Sequence, residues 1–142
     1  MKVLKVDTEA QLQEAFNIRK TVFVEEQKVP YELEIDEFEN HSDHFILYSE
    51  GSPIGAGRFR LLDGKGKIER ICVLSDYRGT GAGKFIMIAI ENYAKEIGIA
   101  TLKLNAQTYA IPFYEKLGYS VVSDEFMDAG IPHKTMEKNI KM

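Results

Sequence analysis

The 142-residue sequence is poor in cysteine and has no long hydrophobic run. Its one cysteine, Cys72, cannot form an intramolecular disulfide, and its three histidines lack the spacing of zinc ligands. The longest apolar stretch, residues 85–90, has six residues, whereas a membrane span needs about 20. No basic segment leads into an apolar run at Met1. We therefore expect a cytoplasmic protein with no structural metal, no transmembrane helix and no signal peptide.

An excess of basic residues is also lacking. Eighteen lysines and arginines against 22 acidic residues give a net charge of -4, which argues against binding to nucleic acid. With 44% apolar and 28% charged residues, the chain is suited to a single folded domain over residues 1–142. Acidic residues are concentrated between Glu25 and Asp43, where the one basic residue is Lys28. This run is either a solvated face or a region that favours a cationic ligand.

Hydrophobic periodicity predicts an alternation of helices and strands. Thr8 and Gln11 have the spacing of a capping box, and Gly98 and Gly118 stand where helices end. The expected helices are residues 9–20, 85–97 and 111–117, and the expected strands are residues 44–49, 53–62, 67–74, 100–106, 119–123 and 133–138. This order predicts an α+β fold in which helices flank a mixed sheet.

A glycine-rich segment, residues 77–84, lies between a predicted strand and a predicted helix. Exposed N–H groups and the positive end of a helix favour an anion at such a place. Glycine lets the backbone approach a ligand closely, and Arg78 can add a bidentate contact to phosphate oxygens. The segment is therefore a candidate phosphate-binding loop, and the alternative is a tight turn that binds nothing.

Two common phosphate-binding motifs do not fit this loop. A Walker A loop needs glycine where Arg78 stands and a hydroxyl side chain where Phe85 stands. A dinucleotide-binding loop needs glycine in place of Lys84 and an acidic residue in place of Asn105. Nucleotide hydrolysis and a Rossmann domain are both disfavoured.

The segment Arg-Gly-Thr-Gly-Ala-Gly, residues 78–83, resembles the Arg/Gln-x-x-Gly-x-Gly/Ala pyrophosphate loop of the GNAT superfamily of acyl-CoA N-acyltransferases. Residues 107–119 resemble that family's Asn-x-x-Ala-x-x-Phe-Tyr-x-x-x-Gly-Phe segment, with Gln107 in place of asparagine. Residues 19–27 and 130–134 further resemble the small bacterial ElaA/YjcF-type branch. The resemblance implies a mostly antiparallel sheet of about six or seven strands that splays between strands 4 and 5.

In this family acetyl-CoA is the cosubstrate, and its pyrophosphate rests on loop amides. The resemblance places the pyrophosphate on Gly79, Gly81, Ala82, Gly83 and Lys84, with Arg78 in the first motif position. The pantetheine arm of acetyl-CoA would pair with the strand that carries Ile71, Cys72 and Val73. Such pairing requires an open strand edge. Asn105 would lie at that opening, and Phe113 belongs to the second motif.

Tyr114 matches the family position of the proton donor to the departing thiolate. The alternative is an ordinary aromatic residue on a helix face. Glu69 is the candidate general base, because alternation along a strand would put it on the same face as Ile71. The alternative for Glu69 is an exposed glutamate paired with a lysine.

The resemblance also implies an acceptor wall formed by Phe23, Glu26, Gln27 and His133, although His133 could instead hydrogen-bond a neighbouring carbonyl. We therefore expect transfer of an acetyl group to a primary amine of a small molecule or peptide, by direct attack in a ternary complex. Two alternatives stay open: a sensor that binds acyl-CoA without transfer, and a scaffold whose loop is only a turn. Since many relatives dimerise, a homodimer is also open, and no membrane partner is expected.

Overall fold

The computed structural model describes residues 1–141. A single sheet in the order β1-β2-β3-β4-β5-β8-β6, with β7 paired to β8, runs through the described residues. The strands are β1 (Lys2–Lys5), β2 (Asp43–Ser49), β3 (Ser52–Leu62), β4 (Lys65–Val73), β5 (Thr101–Gln107), β6 (Ser120–Val121), β7 (Phe126–Asp128) and β8 (Ile131–Asn139). Adjacent strands are antiparallel except for the β4–β5 pair, which is parallel.

Helices cover both faces of this sheet. They are α1 (Glu9–Arg19), which continues into a π-helix (Lys20–Glu26), α2 (Tyr31–Glu34), α3 (Ala82–Glu96) and α4 (Ile111–Lys116). The Thr8 side chain accepts a hydrogen bond from the Gln11 backbone N–H, and the Gln11 side chain accepts one from Asp7, so the capping interaction forms. The apolar face of α3 covers one side of the sheet, and α1 packs against Ile46 and Ala56 in a second cluster.

The predicted α+β fold is confirmed, with differences in the short elements. The sheet has eight strands rather than six or seven, because β1 and β7 were not predicted. The strand expected at residues 119–123 shrinks to Ser120–Val121. α2 lies within the acidic run, and the π-helix, which extends α1, overlaps only its first two residues. Such two- to four-residue segments carry too few positions for a periodic pattern and depend on distant partners.

The sheet opens between β4 and β5, as predicted. These strands pair only over Gly66–Ile68 and Leu102–Leu104, and beyond that point they separate. Cys72 and Val73 therefore pair with β3 on one side and have an open edge on the other, and Ile71 before them pairs with neither strand. Unpaired N–H and C=O groups on such an edge can accept an added strand.

A bulge in β4 lies beside this opening. Its pairing with β3 shifts register between Ala56 and Arg58, and Arg70 has a φ of 59°. Ile68 and Ile71 both pack into the core cluster under α3, which regular alternation would forbid for residues three apart. The expectation that Glu69 and Ile71 share a face is therefore wrong, because the bulge inserts an extra residue between them.

Candidate active site

A cavity of about 830 Å³ occupies the opening between β4 and β5. Its wall is built from β4, β5, the glycine loop, the π-helix, α4 and the turn before β8. All the residues proposed for the site from the sequence line it, except Glu26. Its volume falls within the range of small-molecule sites, about 300–1,000 Å³. Distant segments of the chain thus converge on one concave site.

The glycine loop presents free backbone N–H groups to this cavity. Gly79 and Gly81 have φ values of 79° and 86°, a conformation that side chains disfavour, and Gly81 precedes the first residue of α3. The first hydrogen bond of α3 runs from Phe85 N to Gly81 O at 3.1 Å. The N–H groups of Ala82, Gly83 and Lys84 therefore lack helical partners. With the helix dipole, they form a site suited to an anion.

Arg78 is engaged by a neighbouring carboxylate. Its Nε donates to the Val73 carbonyl at 2.9 Å, and its two terminal nitrogens donate to the Glu26 oxygens at 2.9 and 2.8 Å. Both side chains are well exposed, at 45% for Arg78 and 38% for Glu26. The guanidinium predicted to hold phosphate is thus bound to a residue predicted for the acceptor wall. A phosphate that reaches Arg78 must compete with Glu26.

Two aromatic residues of α4 close the cavity next to the loop. The Phe113 ring would come within 3.2 Å of a Cβ atom on Gly83, so glycine allows the close contact between α3 and α4. The rings of Phe113 and Tyr114 meet edge to face at 5.0 Å. Burial raises the pKa of Tyr114, and proximity to Tyr109 and Cys72 raises it further. The Tyr114 hydroxyl therefore keeps its proton at neutral pH.

Glu69 is held by ion pairs. Its carboxylate accepts from Arg58 at 2.8 Å and from Arg60 at 2.8 Å, and Lys67 lies 3.3 Å away. Burial acts to raise the pKa of Glu69, but the hydrogen bond from Arg60 and the charges of Arg58 and Lys67 outweigh it and lower the pKa to about 2. So low a pKa makes Glu69 a weak base. The geometry thus favours the ion-paired alternative, with arginines as the main partners.

Cys72 lies on the β4 segment that borders the opening. Its side chain is buried among residues of the α1 cluster, and burial raises the pKa of the thiol to about 12. The thiol is therefore protonated at neutral pH and is a poor nucleophile. What β4 offers at this point is backbone rather than side-chain chemistry.

The remaining residues predicted for the site form another part of the cavity wall. The Gln27 amide oxygen accepts from Gln107 at 2.8 Å, which ties the end of the π-helix to β5. Asn105 accepts from the Thr135 hydroxyl at 2.8 Å. His133 lies 2.7 Å from the Ile131 carbonyl through Nδ1, so Nδ1 carries the hydrogen and Nε2 is an acceptor in the neutral ring. Phe23 completes this wall from the π-helix.

A buried network of charges, which the sequence did not predict, lies next to this wall. Arg19 and Arg58 are 1% and 0% exposed, and they are bound by carboxylates from α2, the segment after it and β4. Its carboxylates are Glu34, Asp36, Glu39 and Glu69. The only sequence signal was an arginine in the middle of an apolar strand, at Arg58. The acidic run is thus partly interior rather than a solvated face.

Within residues 1–141, no group of three or more His, Cys, Asp or Glu side chains is arranged to hold a metal ion. No helix in that part of the chain has both the length and the apolar character to cross a membrane.

Comparisons with known proteins agree with this geometry. Residues 6–140 match the model of the acetyltransferase (GNAT) domain. The chain is 53% identical to the uncharacterized N-acetyltransferase YjcF of Bacillus subtilis (strain 168), over 98% of this chain and 100% of that protein. Its fold is similar to that of Escherichia coli ElaA, with a TM-score of 0.85 and 23% identity over 96% and 98% of the two chains.

A second solved structure shares the fold at greater distance. It is an aminoglycoside 6'-N-acetyltransferase complexed with coenzyme A, with a TM-score of 0.76 and 14% identity over 100% of this chain and 98% of that one. The family match extends over nearly the whole chain. The relative with 53% sequence identity is matched over its whole length. The chain therefore belongs to the GNAT acetyltransferase family and is an acyltransferase.

Proposed function

We propose that this protein transfers an acetyl group from acetyl-CoA to a primary amine of a small molecule or peptide, by direct attack in a ternary complex. One observation carries the proposal: the free N–H groups at the start of α3 and the open edge of β4 line the same cavity. A diphosphate and an extended amide-bearing arm require these two features together. The distant relative with bound coenzyme A supports the choice of carrier.

The loop would hold the pyrophosphate. Backbone N–H groups of Gly79, Gly81, Ala82, Gly83 and Lys84 would donate to its oxygens, and the positive end of α3 would add to the attraction. Arg78 would join them after exchanging Glu26 for phosphate. The pantetheine arm would then lie along Ile71–Val73 as an added strand.

The bulge in β4 would stabilise the reaction's developing negative charge. Arg70 and Ile71 have no paired residues on β3, so their N–H groups are outside the regular ladder. A thioester carbonyl placed there would receive backbone donors as its oxygen becomes negative.

The chemistry would proceed in one cavity without an acyl-enzyme. An acceptor that arrives as an ammonium first gives one proton to water. Its neutral nitrogen then attacks the thioester carbonyl carbon, the carbon–sulfur bond breaks, and the departing thiolate takes the proton of Tyr114. The proton lost by the amine passes to water and returns to the tyrosinate, so the enzyme ends unchanged. Since the pKa of Glu69 is about 2, we assign it no proton transfer.

Calorimetry with acetyl-CoA tests the loop. Gly81→Asp puts a negative charge at the start of α3, and we expect binding to weaken at least a hundredfold. Gly81→Asn is the matched control, because asparagine has a similar size and tolerates a positive φ but carries no charge. Equal binding by both variants would show that the diphosphate lies elsewhere.

Thiol release with a panel of amines and peptides tests transfer. We expect free CoA to appear with at least one acceptor. Tight acetyl-CoA binding with no thiol release for any acceptor would favour a sensor instead. Absence of acetyl-CoA binding would favour a scaffold whose loop is only a turn.

A further inference from the structure

Glu34 is a buried carboxylate that lines the cavity and has no place in the mechanism above. It is the last residue of α2, and its side chain is 2% exposed. Four apolar side chains, Val22, Phe23, Val29 and Leu33, line the cavity from the π-helix to α2, together with the amide of Gln27. A carboxylate thus lies beside a partly apolar stretch of the cavity wall.

The two oxygens of Glu34 differ in their surroundings. Oε1 accepts from Arg19 Nε at 2.9 Å and lies 3.2 Å from Arg70 Nε. Oε2 is buried and has no hydrogen-bond partner in the part of the chain that the structure describes. Since a buried charged oxygen without a donor is costly, native structures rarely leave one unpaired. Within the described residues, the Glu34 carboxylate therefore has donors at Oε1 and none at Oε2.

Glu39 shows that this network can satisfy both oxygens of a carboxylate. It also binds Arg19, through Oε1 at 2.9 Å and Oε2 at 2.7 Å, and its Oε2 lies 3.0 Å from Arg58. Glu39 is not part of the cavity wall. The unpaired oxygen is thus found on the carboxylate that borders the cavity.

Arg70 fixes Glu34 next to the proposed site of the thioester. The Arg70 guanidinium donates to the backbone carbonyls of Leu33 and Glu34, each at 3.2 Å, which ties α2 to the β4 bulge. Glu34 is also near Cys72: burial raises the pKa of that thiol, and the charge of Glu34 raises it further. The carboxylate therefore lies beside the β4 segment along which the pantetheine arm is proposed to run.

We infer that the Glu34 side chain turns toward the cavity when an acceptor binds, so that its buried Oε2 receives an N–H from the acceptor's amino group, and that this group is carried on an aliphatic chain. The inference rests on the proposed function and narrows its acceptor class. An ionised carboxylate only accepts hydrogen bonds, so its missing partner is a donor, and a charged donor binds it more strongly than a neutral one. The four apolar side chains on this side of the cavity suit the carbon chain.

A titration with two simple probes tests this inference. n-Hexylamine, charged at pH 7, and 1-hexanol, a neutral donor of the same length, are titrated by NMR into the full chain with and without CoA. We expect wild type to bind the amine at least about tenfold more tightly than the alcohol. In Glu34→Gln this preference falls below about threefold, whereas Glu39→Gln, which also loses a carboxylate bound to Arg19, keeps it.

Three results would overturn the inference: no amine preference in wild type, an unchanged preference in Glu34→Gln, or an equal loss in Glu39→Gln. If Glu34→Gln does not fold, Glu34→Asp keeps the charge but withdraws it by one methylene and is expected to lose the preference too. Acetyl-CoA calorimetry on the same samples separates the two proposals. Retained acetyl-CoA binding without amine preference contradicts only the role of Glu34, and lost binding in wild type contradicts the proposed function.

Discussion

The hydroxyl of Tyr114 is the proposed proton donor, so its removal distinguishes the proposed acetyltransferase from a protein that only binds acetyl-CoA. This hydroxyl is protonated at neutral pH, and burial raises its pKa above the ordinary value. The rise makes it a weaker acid, so the proposed transfer requires a strongly basic thiolate in the same desolvated cavity. Tyr114→Phe removes the proton and keeps the ring. We expect kcat to fall about a hundredfold or more, with the acetyl-CoA dissociation constant unchanged, in thiol-release kinetics and calorimetry.

A remote tyrosine provides the control for that experiment. Tyr48 is on β2, and its hydroxyl donates to Glu14 at 2.8 Å. Tyr48→Phe makes the same chemical change outside the cavity, so its kcat should match wild type. Full activity in Tyr114→Phe would show that another group, or water, protonates the thiolate.

The ion pair between Glu26 and Arg78 would compete with phosphate for the Arg78 guanidinium at the glycine loop. Glu26→Gln removes the charge that holds Arg78 and frees the guanidinium for phosphate. Because exposed ion pairs contribute little, we expect acetyl-CoA to bind about two- to fivefold more tightly by calorimetry. Glu25→Gln changes the exposed neighbouring charge and should have a smaller effect. Weaker binding in Glu26→Gln would show that Glu26 supports the site instead of competing for it.

The sequence predicted some of the site residues and not others. The glycine loop and the Phe113–Tyr114 pair were found because their chemistry lies in short contiguous motifs. Glu34 and Arg58 were not, because their burial depends on partners 11 to 36 residues away. Whether an acidic residue in a charged run faces water or an arginine is decided by tertiary packing, which local pattern does not encode.

At the level of elements, the β4 bulge shows where periodicity fails. An extra residue at Arg70 inverts the alternation from that point, so every later side chain changes face. No glycine or proline marks the bulge, since the positive φ belongs to an arginine. Strong signals such as α3 and β5 were recovered within a few residues. The bulge at Arg70 in β4 was not predicted, because it depends on contacts with the surrounding structure.

The charge network that joins α1, α2, β3 and β4 makes stability depend on pH. The pKa of Glu69 is lowered to about 2 in the folded protein, below its ordinary value. Its stabilising contribution is therefore complete above about pH 5 and is lost as the pH falls toward 2. We expect Glu69→Gln to lower the free energy of unfolding by about 3 kcal/mol at pH 7, measured by urea denaturation.

At pH 3 the difference between Glu69→Gln and wild type should shrink by about half or more, because proton binding to the unfolded chain already opposes folding of wild type. Glu96→Gln changes an exposed glutamate at the end of α3 and should match wild type at both pH values. A difference that stays constant from pH 7 to pH 3 would mean that packing, rather than ionisation, accounts for the loss.

On the scale of the whole molecule, the opening in the sheet is what brings the site together. The β4–β5 pairing ends after Ile68, and the loop that begins α3 follows β4 directly. The π-helix reaches the same opening from the face of the sheet that α1 covers. The motifs predicted this opening correctly, because the order of elements fixes which strand ends are neighbours. The part of the cavity wall supplied by α2 and the π-helix could be identified only from the folded structure.

Hydrogen exchange can detect the strand that the open edge is proposed to receive. We expect acetyl-CoA to slow exchange of the amides in Ile71–Val73, where the pantetheine arm would pair, and in Ala82–Lys84, where the pyrophosphate would bind. Amides of β1, at the far edge of the sheet, should exchange at the same rate with and without acetyl-CoA. Slowing at Ala82–Lys84 alone would leave the loop as an anion site but contradict strand addition. Uniform slowing, including β1, would indicate general stabilisation rather than binding in the opening.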